Sequence, residues 1–394
     1  MLPIEIKKNV YWVGGIDWDL RNFHGYLTQR GSSYNAYLIT GEKNILIDNV
    51  KIHLYDQLLA RIAKIIDPTK IDYFIQNHVE MDHSGALPKL IKLNPGALVI
   101  TSPNGEKGLK LHFKSDWNFR VVQNNEKIKI GEREFQFVLT PMVHWPDNMV
   151  TYSIEDKILF SNDAFGQHIS SSERFVTEYP LDIVFEEAKK YYANIVLPYG
   201  EQVKKVLPVV ESIEPDIIAP SHGLIWNEYI PKIITEYRKW SNNETENKAV
   251  IIYDTMWKST ELISYTILRG FEHSKIPVEI FNLQLNHISD IMTSLIDAKY
   301  ICIGSSTLNN GILPSVAAFL TYLKGLAPKN RTALAFGSYG WGGQSVPIIE
   351  DTLTAMKFDI LPSIKEQYIP SQERLDLITD NLINLLSQKP YKVE

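Results

Sequence analysis

The sequence predicts two domains in tandem: a strand-rich α+β half, then an α/β half built on a doubly wound parallel sheet. Three observations carry that prediction. The chain has 394 residues, more than one domain of ordinary size. A polar stretch at 240–247, Trp-Ser-Asn-Asn-Glu-Thr-Glu-Asn, parts a helical pattern from a new strand. Beyond it strand and helix patterns alternate, whereas before it short apolar strands run into loops marked by Pro or Gly. The boundary is placed after residue 246, giving domains 1–246 and 247–394.

In chain order, strands are expected at 9–13, 34–40 and 44–48. The apolar run 71–76 reads as a buried strand. It feeds the loop His78-Val79-Glu80-Met81-Asp82-His83, after which Ser84 is placed to N-cap a helical run at 86–93. Phe135-Gln-Phe-Val-Leu-Thr140 alternates like a strand and enters Pro141-Met-Val-His144-Trp-Pro-Asp147. The run 157–160 enters Ser161-Asn-Asp163-Ala-Phe-Gly166, and 215–219 enters Pro220-Ser-His222-Gly223. A helix at 230–240 closes this half. In the second half, strands are expected at 248–253, 278–283, 300–304 and 332–336. Helices are expected at 261–270, 288–296, 314–323, 346–356 and 375–386.

Composition narrows the function classes. The hydrophobic fraction is 44% and the charged fraction 22%, values of a soluble globular protein, and no apolar run approaches a membrane span. The first residues lack a signal-peptide core. One cysteine, Cys302, excludes intrachain disulfides and suits a reducing cytosol, so a cytoplasmic location is expected. Cys302 sits in the apolar run 300–303 and reads as a buried structural thiol. A net charge of −6 gives no reason to expect nucleic acid or an anionic membrane as partner.

The four loops that follow strands carry four histidines, His78, His83, His144 and His222, and three carboxylates, Glu80, Asp82 and Asp163. Rigid strands aim such loops at one point. This set resembles the metallo-β-lactamase superfamily, whose αββα sandwich gathers two metals at one edge of its sheets. The hydrolases of that superfamily carry a His-x-His-x-Asp-His loop, and here Glu80 replaces the second His. Zinc is at home with His and Cys, whereas extra carboxylates favour redox-active iron. Three carboxylates with a bridging hydroxide also balance two ferrous ions, leaving a buried site near neutral. A di-zinc hydrolase with a flavodoxin-like accessory domain is the reading from another class, and Glu80 speaks against it.

In the second half, three loops leave the carboxyl ends of strands. Asp254-Thr255-Met256-Trp257-Lys258-Ser259-Thr260 enters a helix, where hydroxyls and free amides can cradle a phosphate. It resembles the phosphate loop of flavodoxins, with Lys258 where many have Gly. Gly304-Ser-Ser306-Thr307-Leu308-Asn309-Asn310-Gly311 and Gly337-Ser338-Tyr339-Gly340-Trp341-Gly342-Gly343 add glycines that let amides approach a ring system and aromatics that can pack on it. Strand-end loops are where a doubly wound sheet binds its ligand. The ligand implied is flavin mononucleotide, FMN.

Together the two halves resemble the flavodiiron proteins (A-type flavoproteins). The resemblance spans the chain: Trp18-Asp19-Leu20 with Phe23-His24-Gly25, the 78–83 loop, His144-Trp-Pro-Asp147, Asn162-Asp163-Ala-Phe-Gly166, Ser221-His222-Gly223 and the three flavin loops. It implies that His78, Glu80 and His144 hold one non-haem iron, that Asp82, His83 and His222 hold the other, and that Asp163 bridges them. His24 and Tyr192, with Tyr191 as its alternative, would line the site. The implied activity is reduction of dioxygen to water or of nitric oxide to nitrous oxide, dioxygen first. A head-to-tail homodimer, or a dimer of dimers, would set each flavin against the partner's irons. Some relatives append a rubredoxin module, which needs four cysteines. With Cys302 alone, an external donor is expected, rubredoxin ahead of a reduced deazaflavin.

Overall fold

Alternation of side chains along short strands decides how the first half is layered. The computed structural model describes residues 2–388. Its first sheet runs in chain order: β1 (Ile4–Lys7), β2 (Val10–Trp12), β3 (Tyr37–Ile39), β4 (Ile45–Ile47), β5 (Tyr73–Gln76), β6 (Leu98–Thr101) and β7 (Phe119–Val121). The pairs up to β3–β4 are antiparallel, and those from β4–β5 onward are parallel. Leu46, Phe74 and Val99 pack with the helices Tyr55–Ile62, Leu87–Leu93 and Pro103–Phe113. Their chain neighbours Ile45, Ile47, Ile75 and Ile100 point to the other face, as the two-residue period requires.

That other face meets a second sheet. It is built from β8 (Glu126–Ile130), β9 (Arg133–Leu139), β10 (Met149–Ser153), β11 (Ile158–Asn162) and β12 (Ile217–Pro220), also in chain order. Ile130, Phe135, Phe137, Met149, Ile158 and Phe160 interdigitate with Trp12, Tyr37 and Ile75 to form one inter-sheet core. Each such buried aliphatic or aromatic side chain stabilises the fold by about 1.5–3 kcal/mol. The helices Leu181–Tyr191, Gly200–Ser212 and Ile230–Ser241 belong to this half, which is the αββα sandwich expected from the sequence.

The second half opens on β13 (Glu246–Asp254), followed by β14 (Val278–Asn282), β15 (Ala298–Ser305), β16 (Thr332–Tyr339), β17 (Asp359–Ile360) and β18 (Ile364–Gln367). Its order is β14-β13-β15-β16-β17, with β18 also on β16, and every pair is parallel. That is the flavodoxin-like winding order. Ile251, Tyr253, Cys302, Leu334 and Phe336 pack against the helices Ser259–His273 and Gln372–Gln388. Cys302 is fully buried there, and burial pushes its thiol pKa up, as suits a structural role.

The chain divides into two compact units. The first runs to Tyr192 and takes in Tyr199–Arg238; the second holds Ala193–Pro198 and the described residues from Lys239 onward. Among the described residues no helix is long and apolar enough to cross a membrane.

Candidate metal centre and flavin pocket

Three strands that deliver a ligand-type residue end just before it, and β9 ends at Leu139, five residues before His144. β5 stops at Gln76, two residues before His78; β11 stops at Asn162, next to Asp163; β12 stops at Pro220, two before His222. β11 and β12 are parallel, with Asn162 opposite Pro220, so Asp163 and His222 emerge side by side. Gly223 follows at φ +77°, and a Cβ there would meet the Gln167 carbonyl oxygen at 2.4 Å. Only glycine fits that turn without strain.

Buried amides hold the 78–83 loop in shape. The Gln76 side chain donates to the carbonyls of His78 at 2.5 Å and His83 at 2.9 Å. Asp48 accepts from the Asn77 backbone at 2.8 Å and from its side chain at 3.0 Å. Ser84 does not cap the following helix, which begins at Leu87 after Ala86 without a side-chain cap. Its hydroxyl donates instead to the Val79 carbonyl at 2.7 Å. Ser84 closes the short helical turn Met81–Ser84 and stands two residues before Ala86, the actual N-cap, which is why the expected cap is not made.

All seven ligand-type residues converge. His78, Glu80, His144 and Asp163 form one cluster and Asp82, His83 and His222 another, the donor atoms of each lying within 4.8 Å of one another. Asp163 stands between them. Its Oδ2 faces His144 Nε2 at 3.2 Å and His78 Nε2 at 3.7 Å, while Oδ1 faces His83 Nε2 at 3.0 Å and His222 Nε2 at 3.2 Å. One carboxylate thus offers one oxygen to each half.

The remaining bonds fix which ring nitrogen points inward. His78 Nδ1 donates to Asp147 at 2.8 Å, and His222 Nδ1 donates to the Ser33 carbonyl at 3.0 Å. Each therefore turns Nε2 toward the cluster, the atom a metal ion would take in place of a proton. Both oxygens of Asp82, Oδ1 of Asp163 and both ring nitrogens of His83 are buried without a directed hydrogen bond. His83 Nε2 and Asp163 Oδ1 lie 3.0 Å apart without a directed hydrogen bond. Orphaned atoms of this kind are costly unless a cation satisfies them, so the residues fit a pair of metal ions. The electrostatics agree. Burial disfavours the charged form of Glu80, but the His78 hydrogen bond overrides it and brings the pKa down to about 2. Burial likewise opposes a charged His83, and Asp82 and Asp163 nonetheless lift it to about 9. These carboxylates pull strongly on any positive charge.

His24 lies at the rim, exposed, with Nε2 3.1 Å from Glu80 Oε1. Of the two tyrosines, the structure puts Tyr191 and not Tyr192 beside the cluster. The Tyr191 ring is 5.8 Å from that of His222, whereas Tyr192 packs on Tyr237 at 5.0 Å. Neighbours on a helix point about 100° apart, so only one can face the site. Sequence reasoning missed His168, whose fully buried ring stacks 4.9 Å from His222. Burial and then the adjacent His222 hold it neutral, well below the usual histidine range. It also left Asp147 unassigned, although that residue sits within the quoted His144-Trp-Pro-Asp147 motif.

In the second unit, a cavity of about 660 Å³ opens at the ends of β13, β15 and β16. From the first loop it is lined by Met256, Trp257 and Ser259, and from the second by Ser306, Thr307, Asn309 and Asn310. The third loop adds Ser338, Tyr339, Gly340 and Trp341. Thr255, Thr260, Leu308, Gly311, Gly342 and Gly343 do not line it. Thr260 instead ties the loops together, bonding Ser306 Oγ at 2.9 Å and Ser338 Oγ at 2.8 Å. Gly342 and Gly343 provide the left-handed turn, with φ +89° and +82°. Lys258 takes φ +68°, the conformation in which flavodoxin-type loops use glycine. Tyr368 and Ile369 also line the cavity. They follow the short edge strand β18, which the sequence pattern does not show; the signal there is an apolar pair before Pro370 in an otherwise polar stretch.

The pocket suits a flavin phosphate and ring. Ser259, the first residue of the helix Ser259–His273, lines it where a phosphate would meet that N-terminus. Trp257 and Trp341 stand 86% and 82% exposed, large flat faces left uncovered by the protein itself.

Comparison with known proteins agrees with both halves. A family model described as ODP family beta lactamase matches residues 33–223, and one described as Flavodoxin matches 251–376. The chain is 41% identical to a nitric oxide reductase of Moorella thermoacetica, covering 95% of each. It is 39% identical to the rubredoxin-oxygen oxidoreductase of Megalodesulfovibrio gigas, covering 99% of each. The crystal structure of the flavodiiron protein from Giardia intestinalis superposes with a TM-score of 0.95 at 33% identity, over 98% of this chain and 96% of that one. The cofactors are FMN and a di-iron centre, which the flavodoxin domain and the converging ligand set imply together. A sandwich that carries the metal cluster and a flavodoxin domain that carries the flavin pocket, in one chain, make it an oxidoreductase that belongs to the flavodiiron proteins.

Proposed function

We propose that the chain reduces dioxygen to water with electrons drawn through FMN from an external donor, a rubredoxin. The observation that carries this reading is Asp163, buried between two His-and-carboxylate clusters with one oxygen turned to each. In this reading His78, Glu80 and His144 hold one metal, Asp82, His83 and His222 the other, and Asp163 bridges. Bound ferrous ions supply electrons and open positions for a diatomic gas, and FMN replenishes them.

The protein's own part is to hold that pair and bring in protons. Water formation from dioxygen takes four protons, and a buried site must import them. His24, exposed and hydrogen-bond close to Glu80, is placed to pass them from solvent. Tyr191 takes the lining role expected of Tyr192, and Asp147 positions His78. The residues at the cavity in the second unit hold FMN, with Ser259 at its phosphate and Trp257 and Trp341 on its ring. A head-to-tail homodimer in the cytoplasm, with domains parting after residue 246, completes the reading.

Nitric oxide reduction is the second reading, favoured by the likeness to the Moorella thermoacetica enzyme named for it. Anaerobic single-turnover kinetics of the fully reduced protein with each gas in turn separates the two. Flavin reoxidation that is fast with dioxygen, forms no peroxide, and is slow with nitric oxide supports the first reading. The reverse order replaces it with the second.

A further inference from the structure

Beneath the helix Gly200–Ser212, a small void of about 30 Å³ lies among residues of the second sheet. Val150 and Leu159, from β10 and β11, form its floor, and Val203, Val206 and Leu207 from the helix cover it. Two stretches of its wall are chain neighbours of the metal cluster. Val143 precedes His144, and Ala164 and Phe165 follow Asp163.

Apart from Thr140 and Tyr237, the residues that line it are aliphatic or aromatic hydrocarbons. The Tyr237 hydroxyl at its edge is already engaged, accepting from the Phe165 N–H at 2.6 Å. A water needs two to four polar partners to settle in such a space, and apolar cavities stay dry and take up apolar ligands. The volume is two to three times the ~10–15 Å³ that one water requires, room for one diatomic molecule and too little for an organic substrate. Val206 and Ala164 are half-buried, the other residues buried, so an entrance lies on their side.

We infer that this void is a docking pocket for an apolar diatomic gas, holding dioxygen or nitric oxide beside Asp163 and His144 before it enters the metal site. The inference rests on the gas-reducing function proposed above. It gives a purpose to an apolar hole that close packing would otherwise fill.

Xenon is the probe. Crystals of the holoenzyme pressurised with xenon should show it in this void, and Leu207→Ala, which enlarges the space, should raise its occupancy. Val206→Phe should exclude xenon while iron and FMN contents stay normal. In that variant kcat/KM for the gas should fall about five-fold or more, with kcat at saturating gas within about two-fold, because entry is hindered and the site is not. An empty or water-filled void under xenon overturns the inference, as does a Val206→Phe variant that excludes xenon yet keeps its kcat/KM. If the holoenzyme reduces neither gas, the functional reading fails by itself, and the xenon result still decides whether the pocket takes an apolar guest.

Discussion

At the scale of single residues, the metal cluster depends on side chains one step removed from it. Asp147 accepts from His78 Nδ1 and from the Val79 N–H, both at 2.8 Å, and so sets both the tautomer of His78 and the path of its loop. Asp147→Asn keeps an acceptor but removes the charge. Losses of ~10–100-fold in metal affinity follow changes of this kind. Chelator competition should show at least the lower figure, with flavin content unchanged; an unaltered affinity would mean that Asp147 merely packs.

Glu187 shows the opposite behaviour. Burial raises its pKa from 4.5 to about 7 despite Lys190 and Arg30, the latter 3.1 Å away. A carboxyl raised on folding contributes stability below its unfolded pKa and loses it as pH climbs through the folded one. The advantage of Glu187→Gln over the parent chain should therefore grow between about pH 4.5 and 7 and level off above. It amounts to about 3 kcal/mol at most, read from urea unfolding at pH 5 and pH 8. A pH-independent difference would contradict the account. The residues that bear ligand atoms were legible because each follows its own strand locally. His168 and the role of Asp147 were not, nor was the choice between Tyr191 and Tyr192, since their proximity to the cluster comes from packing between distant segments.

At the scale of elements, loops at strand ends do the work in both halves. Thr260 joins the three flavin loops through Ser306 and Ser338. Thr260→Val strands two hydroxyls, at about 1 kcal/mol for each lost bond, and loosens all three loops at once. A fluorescence titration should show FMN binding weakened by about ten-fold or more, with metal content unchanged. Binding as tight as in the parent chain would place FMN recognition elsewhere.

The strands that run into the ligand loops and the parallel strands β13 to β16 were legible, because apolar runs and flanking Gly or Pro mark them, whereas β1, β6, β7, β8 and β10 were not expected. Nor were β17, of two residues, and β18, whose Ile-Lys-Glu-Gln has a single apolar residue and so no apolar pattern, and with β18 went Tyr368 and Ile369. Ser84 looked like a cap because its position is right. What the sequence could not convey was that Ser84 closes a helical turn of its own and the next helix starts only at Leu87.

At the scale of the whole chain, the two halves could be assigned before their geometry was known, since each carries its own ligand chemistry. The pairing of Asn162 with Pro220, which sets Asp163 beside His222, was not readable from either segment alone. It is a parallel pair between strands more than fifty residues apart in the chain. The metal cluster lies in one compact unit and the flavin pocket in the other. Asp163→Asn should consequently lose metal by at least the ~10–100-fold seen for changes one step further out, while FMN stays bound. Loss of both cofactors together would show that the units are not independent in this respect.

The central claim is that this metallo-β-lactamase-like scaffold holds iron for redox chemistry and not zinc for hydrolysis. Protein made in medium replete in both metals should be fractionated, and each fraction assayed for metal content and for dioxygen and nitric oxide reduction. Activity is expected to rise with iron toward two ions per chain, one for each cluster, and to be absent from zinc-loaded fractions. A gas-reducing fraction that carries zinc and no iron, or a zinc form that hydrolyses substrates while the iron form is inert, would contradict it.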